Sequence, residues 1–237
     1  MNFTPEQFED YKIRCISFRD ITLECIPLLT QIGNCILNHY KGTEMPRHWV
    51  FCFDIIKRIR ENLSFLANSN PPQETNSIPL RLILRSVFSD LISLCYVIEN
   101  LKDMNALSSF LHFNDVTAVD GKRSFAECEK EFLELCGKKD WSGFLDSKMV
   151  DFAEVKEEIL SPYEGSMSKL KRSTLPQTKQ IADFFRDNED LKSLYALLYG
   201  PFKMLSQVEH YANENRSYSY FDVNTAFFFQ KFVHDIR

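Results

Sequence analysis

The sequence has little glycine and little proline, the residues that interrupt helices and shape turns. It carries 7 Gly and 9 Pro, and most of them lie between segments with helical periodicity. Stretches that alternate apolar and polar residues, as half-buried strands do, are also few. Hydrophobic residues make up 44% of the chain and include 21 Phe, which is ample material for a core. The sequence therefore predicts an all-α multi-helix bundle.

The chain also lacks an excess of positive charge and any long uncharged apolar run. Its net charge of −5 argues against a protein that coats nucleic acid without sequence specificity, because such a protein needs a basic surface. Residues 1–10 are polar and acidic, unlike a signal peptide, and no uncharged run of about 18 apolar residues occurs. We therefore expect a soluble cytoplasmic protein with no membrane partner.

Metal-binding patterns are missing as well. The seven cysteines include no C-x-x-C pair, and no H-x-x-x-H or E-x-x-H spacing occurs. Most cysteines fall at apolar positions of helical patterns, which predicts reduced, buried thiols. We expect neither a metal site nor a cofactor.

Residues 78–101 are the most informative segment that is present. Ser77 and Pro79 suit a helix start, and apolar side chains then point in almost every direction. A helix that is apolar nearly all round is a buried one, so we expect a long central helix with antiparallel neighbours. A narrow polar line interrupts it, with each member four residues from the last: Arg81, Arg85, Ser89 and Ser93.

The remaining segments fit one all-α domain over residues 1–237, with 115–180 as a helical insert that includes a basic loop. Two long helices precede the central one, and shorter ones are expected at 124–136, 148–160, 176–186 and 191–199. The pattern weakens at Asp120-Gly121, and residues 161–179 read as an irregular loop. Gly200-Pro201 predicts a bend or a restart, and a last aromatic helix is expected at 224–237.

Residues 194–212 contain the best candidate for a site. Ser206 and His210 are four residues apart, so they share one side of a helix, and Glu209 adjoins them. Their side lies opposite the apolar one, as the wall of a cleft would. Pairing this edge with the Arg81/Arg85 line would join the two main polar features of the sequence.

Three sequence segments resemble a branch of uncharacterised bacterial helical proteins: LRLILRSVFSDLISLCYVIE, LPQTKQIADFF and LYALLYGPFKMLSQVEHYA. These are grouped with the HEPN-like (higher eukaryote and prokaryote nucleotide-binding) domains, and the resemblance covers about residues 78–212. It implies a helical bundle and a site with Arg85, Tyr199, Ser206 and His210 at the family positions. It also implies nucleotide or RNA as a partner, in bacterial stress or anti-phage systems.

Three interpretations remain open. We prefer a non-catalytic or weakly nucleotide- or RNA-binding domain, whose ligand contacts are Arg81, Arg85, Tyr199, Ser206, Glu209 and His210. In a metal-independent ribonuclease, Arg85 would hold a phosphate and His210 would be the catalytic acid or base. However, no Arg precedes His210 by four to six residues, as it does in HEPN ribonucleases. The third interpretation is a structural module that forms a homodimer or binds another protein, with Arg85 and His210 only holding helices together.

Overall fold

Every regular element that the computed structural model describes is helical, so the predicted all-α multi-helix bundle is confirmed. The structure describes residues 5–68, 77–137, 142–173 and 177–210, and side chains only within 19–68, 80–137, 146–173 and 177–206. The last helix predicted, at 224–237, lies outside these ranges.

In chain order the helices are α1 (Pro5–His39), α2 (Arg47–Asn68), α3 (Ser77–Glu99), α4 (Met104–Leu135), α5 (Ser142–Leu160), α6 (Met167–Arg172), α7 (Thr178–Arg186), α8 (Lys192–Leu194) and α9 (Gly200–His210). Short 3₁₀ turns occupy Ser161–Tyr163 and Glu189–Leu191, and a π-helical turn occupies Tyr195–Tyr199.

The chain forms two compact units. The first combines Met1–Ile98 with Ile181–Arg237, and the second is Glu99–Gln180. The insert predicted at 115–180 falls inside the second unit, which begins earlier because it includes the whole of α4.

Helix α3 is the main buried element of the first unit. Val87, Phe88 and Ile92 are fully buried, and ring contacts link α3 to both α7 and α9. The helix is not buried on every side, however, because Leu82 is 39% exposed and Ile98 is 49% exposed. Burial of six large apolar side chains still makes α3 the organising helix, at about 1.5–3 kcal/mol for each.

Helices α1 and α2 pack against each other in the same unit. The ring of Phe53 lies 3.5 Å from the position that a Cβ would take at Gly33, an ordinary van der Waals distance, so the ring packs directly over this glycine of α1. Pro27 is accommodated within α1, and Gly42 beyond the end of α1 has a positive φ of 82°. Such a conformation is easy for glycine and costly for other residues.

Helix α4 corrects the expectation of a break at Asp120-Gly121, because it runs without interruption from Met104 to Leu135. A helix-interior glycine costs only about 1 kcal/mol relative to alanine, which neighbouring interactions can offset. The Asp120 carboxylate accepts a hydrogen bond from Lys156 of α5 at 3.0 Å. At the start of α4, the Asp103 side chain accepts from the backbone N–H groups of Asn105 and Ala106.

The segment predicted as an irregular loop, 161–179, is partly helical. Ser166 caps α6, and Leu170 is fully buried in a small core with Val116 and Leu160. Tyr163 and Met167 of the same segment also pack against this core, so apolar contacts order a stretch whose basic residues resemble those of a solvated loop.

Candidate functional site

The candidate site in the first unit is built where the π-helical turn meets α9. Pro201 lacks an N–H, and its ring clashes with the carbonyl of the residue four positions earlier in a regular α-helix. A turn with wider spacing, Tyr195–Tyr199, relieves this conflict directly before Gly200, whose φ and ψ remain helical at −54° and −61°. The chain therefore does not restart at Gly200-Pro201, and π-helical turns of this kind are frequent at functional sites.

This turn aligns three aromatic rings, which we call the aromatic ladder: Tyr195, Tyr199 and Phe202. The ring centroids of Tyr195 and Tyr199 are 5.2 Å apart at 34°. The rings of Tyr199 and Phe202 are 5.9 Å apart at 26° and stack. All three side chains are partly exposed, so their edges reach solvent.

An arginine covers each end of the ladder. The guanidinium carbon of Arg85 lies 5.5 Å from the centroid of the Phe202 ring, and that of Arg186 lies 5.9 Å from the Tyr195 ring. Arg186 also pairs with Asp183 at 2.8 Å and with Asp187 at 3.0 Å. These contacts place a cation from α3 and a cation from α7 on the same set of rings.

Two predicted site residues, Arg85 and Tyr199, thus both contact the Phe202 ring. Arg81, one turn earlier in α3, is buried and only 2% exposed. The hydroxyl of Ser206 donates to the carbonyl of Phe202 at 2.8 Å, so it caps a backbone group within its own helix.

Glu209 and His210 end α9, and their side chains lie outside the described part of the structure. Residues 202, 206 and 210 share one row of the helix because they are four apart. At about 1.5 Å per residue, His210 lies roughly 12 Å along the axis from Phe202, where Arg85 binds. A hydrogen-bond network that includes Arg85 and His210 therefore stays a prediction.

The environment of the ladder favours the neutral form of Tyr199. Burial raises the pKa of the Tyr199 hydroxyl above its ordinary value, and the nearby Tyr195 and Asp183 raise it further. At neutral pH the Tyr199 hydroxyl is therefore protonated, so it can donate a hydrogen bond to a ligand. The hydrogen bond to Asp187 raises the pKa of Arg186, which stays a cation.

Sequence reasoning missed a partly buried ion pair between α2 and α3. The Asp90 carboxylate is 5% exposed and accepts two hydrogen bonds from Arg58, from Nε at 2.7 Å and from Nη2 at 2.5 Å. The Arg58 side chain itself remains at the protein surface, where it is 58% exposed. The sequence signal that could have indicated this pair is the position of the acidic residue Asp90 within the largely apolar helix α3.

A polar cluster in the second unit was also missed. His112 of α4 is partly buried, and its Nδ1 lies 3.1 Å from the Tyr163 hydroxyl. That hydroxyl also donates to the Ser109 hydroxyl at 3.1 Å, and Ser109 is buried. The three side chains satisfy one another, which indicates a structural role for this cluster.

The cysteines differ from the expectation of buried thiols. Cys52 is buried, but Cys35, Cys128 and Cys136 are exposed. Within the described ranges, no three His, Cys, Asp or Glu side chains come together in a group that could hold a metal ion. No helix in these ranges is both long and apolar enough to cross a membrane.

No protein-family model matches the sequence, and no curated protein or solved structure is significantly similar to it. The inference about function therefore depends on the residues of the site.

Proposed function

We propose that this chain is a non-catalytic helical domain that binds nucleotides or single-stranded RNA weakly through the aromatic ladder. The observation that carries the proposal is the aromatic ladder, in which Phe202 stacks on Tyr199 and Tyr199 contacts Tyr195, with Arg85 and Arg186 at its ends. Aromatic faces bind bases of any sequence, and arginine binds phosphate. The HEPN-like resemblance implies the same class of ligand.

The arginines exchange one partner for another when a ligand binds. A cation–π contact at an exposed site is worth about 0.5–1 kcal/mol, whereas a stacked base is worth about 1–3 kcal/mol. A base can therefore displace the Arg85 guanidinium from the Phe202 ring, and the guanidinium then binds the phosphate of the same nucleotide. This exchange requires only a side-chain movement at a partly exposed position.

Binding is expected to be weak. One stacked base and one charge-assisted phosphate contact contribute about 2.5–6 kcal/mol together, which corresponds to a Kd of about 0.04–15 mM for a mononucleotide. The negative net charge of the chain reduces the affinity further, and added salt weakens it again.

The test measures binding of AMP by calorimetry and of fluorescein-labelled oligouridine by anisotropy, at low salt. Arg85→Gln and Tyr199→Leu should each weaken binding by about fivefold or more, since each removes about 1 kcal/mol. Arg123→Gln is the matched control, because Arg123 is a half-exposed arginine with an ion pair in the second unit. Undetectable binding by the wild type, or equal weakening by the control, would refute the proposal.

A further inference from the structure

Helix α4 of the second unit exposes an apolar stripe along its C-terminal half. Leu135 is 88% exposed, Phe125 is 73% exposed and Phe132 is 65% exposed, and Cys128 is exposed between them. Two small residues, Ala118 and Gly121, are also exposed and extend the stripe towards the N-terminus. Large apolar side chains with this exposure, contiguous along one helix, mark an interaction surface.

The spacing of the stripe is that of a helix–helix seam. Its residues follow one another at intervals of three and four: Ala118, Gly121, Phe125, Cys128, Phe132 and Leu135. This is the a/d pattern of a coiled coil, and it extends over about 27 Å of helix at ~1.5 Å per residue. The buried Ala126 lies on a different side of α4, so the seam is a second apolar face.

The sizes of the seam residues favour a second copy of the chain as the partner, with the two helices antiparallel. When two copies of the seam pair antiparallel about the point between Phe125 and Cys128, each layer combines a large and a small residue. Leu135 meets Ala118 of the other copy, Phe132 meets Gly121, and Phe125 meets Cys128. Such pairing fills space at each layer, as close packing requires. A parallel pair in register would place Phe against Phe and Gly against Gly, which alternates overpacking with voids.

Flanking charges favour the same arrangement. Lys122 and Glu129 are exposed on the same flank of the seam, and neither forms an ion pair within the described ranges. In the antiparallel pair, Lys122 of each copy lies opposite Glu129 of the other, so two symmetric ion pairs form. In the parallel pair, these two residues do not meet.

We propose that the exposed face of α4 binds a second copy of this chain and forms an antiparallel homodimer. The seam from Ala118 to Leu135 is its core, and Lys122 and Glu129 are its flanking ion pairs. This inference is independent of the nucleotide site, because it involves only residues of the second unit.

Sedimentation equilibrium over a range of concentrations tests the dimer. The wild type should dimerise reversibly, and Gly121→Leu should weaken the dimer by about tenfold or more, because the leucine overpacks the layer with Phe132. Adding Phe132→Ala to Gly121→Leu exchanges the large and small positions and should restore most of the affinity. Leu135→Ser should also weaken the dimer, whereas Leu28→Ser, at a 58% exposed leucine of α1, should not.

Charge reversal then tests the antiparallel orientation of the two helices. Lys122→Glu and Glu129→Lys should each weaken dimerisation, and the double variant should restore it, because the reversed charges face each other again. Circular dichroism confirms that each variant remains helical. A monomeric wild type at all concentrations would overturn the proposal. A dimer that is indifferent to Gly121→Leu, or one that the charge-reversed double variant does not restore, would overturn it equally.

Discussion

Replacing Arg58 by alanine should destabilise the protein more than replacing its partner Asp90 does. The two side chains form a two-pronged ion pair, with distances of 2.7 and 2.5 Å, but their environments differ. Asp90 is 5% exposed, whereas the Arg58 side chain is 58% exposed. Without Asp90, Arg58 is solvated by water. Without Arg58, the buried Asp90 carboxylate loses the two hydrogen bonds that compensate for its removal from water.

The structure sets the magnitudes. Removing one member of a fully buried pair costs about 3–5 kcal/mol, and water access on the Arg58 side lowers this to about 2–3 kcal/mol for Arg58→Ala. Asp90→Ala should cost only about 1 kcal/mol, the worth of an ordinary hydrogen bond. The double variant should resemble Asp90→Ala, because it contains no unpaired buried charge. Each value is measured by urea unfolding at neutral pH.

A double-mutant cycle measures the coupling between the two side chains. The pair Arg123–Glu127, whose carboxylate side chain is 41% exposed, provides a matched comparison at about 0.3–0.5 kcal/mol. If Arg58→Ala and Asp90→Ala were equally destabilising, or if their effects simply added, the argument from unequal burial would be refuted.

Three further predictions concern single side chains. Burial raises the pKa of the Cys52 thiol to about 11, so the folded state holds a proton that the unfolded state releases. This contribution to stability is present below about pH 9 and is lost as the pH rises towards 11. Between about pH 8 and pH 10.5, the free energy of unfolding in urea should therefore fall by about 2 kcal/mol more for the wild type than for Cys52→Ala. Equal losses in the two proteins would contradict this. Asp103→Ala should cost about 1 kcal/mol in thermal or urea unfolding, because two N–H groups at the start of α4 lose their acceptor; an unchanged stability would show that this cap is not needed. Tyr163→Phe should cost about 1–2 kcal/mol by the same assay, since Ser109 and His112 lose their shared partner, and a neutral substitution would show that water replaces the hydroxyl.

The positions of the main helices could be predicted because they depend on local patterns. Helix α3 was expected at 78–101 and occupies Ser77–Glu99, since its apolar content leaves no other stable arrangement. The segment 176–186 likewise corresponds to α7, which has a strongly one-sided apolar face.

Features that depend on small energies or on tertiary pairing could not be predicted. Whether α4 continues through Gly121 depends on a small balance of energies. The glycine costs about 1 kcal/mol, and the contacts of α4 with α5 that offset this cost cannot be seen in the sequence. The π-helical turn arises because helical geometry continues around Pro201, and the sequence alone suggested a break there. Arg58 and Asp90 are 32 residues apart, so no local pattern joins them.

The candidate site was predicted in part. Arg85 and Tyr199 were selected from the sequence, and the structure brings both to Phe202. Phe202 and Tyr195 were missed because, among so many aromatic residues, a stacked ring resembles an ordinary core residue. The roles proposed for Glu209 and His210 stay predictions.

Photochemical cross-linking tests the central claim, binding at the aromatic ladder, most directly. The intact protein is irradiated with oligouridine that contains 4-thiouridine, and the linked peptides are identified by mass spectrometry. We predict that cross-links concentrate on Tyr195, Tyr199 and Phe202, that excess AMP competes with them, and that Arg85→Gln reduces them. Cross-links confined to other parts of the chain, or equal yields from the wild type and Arg85→Gln, would contradict the claim.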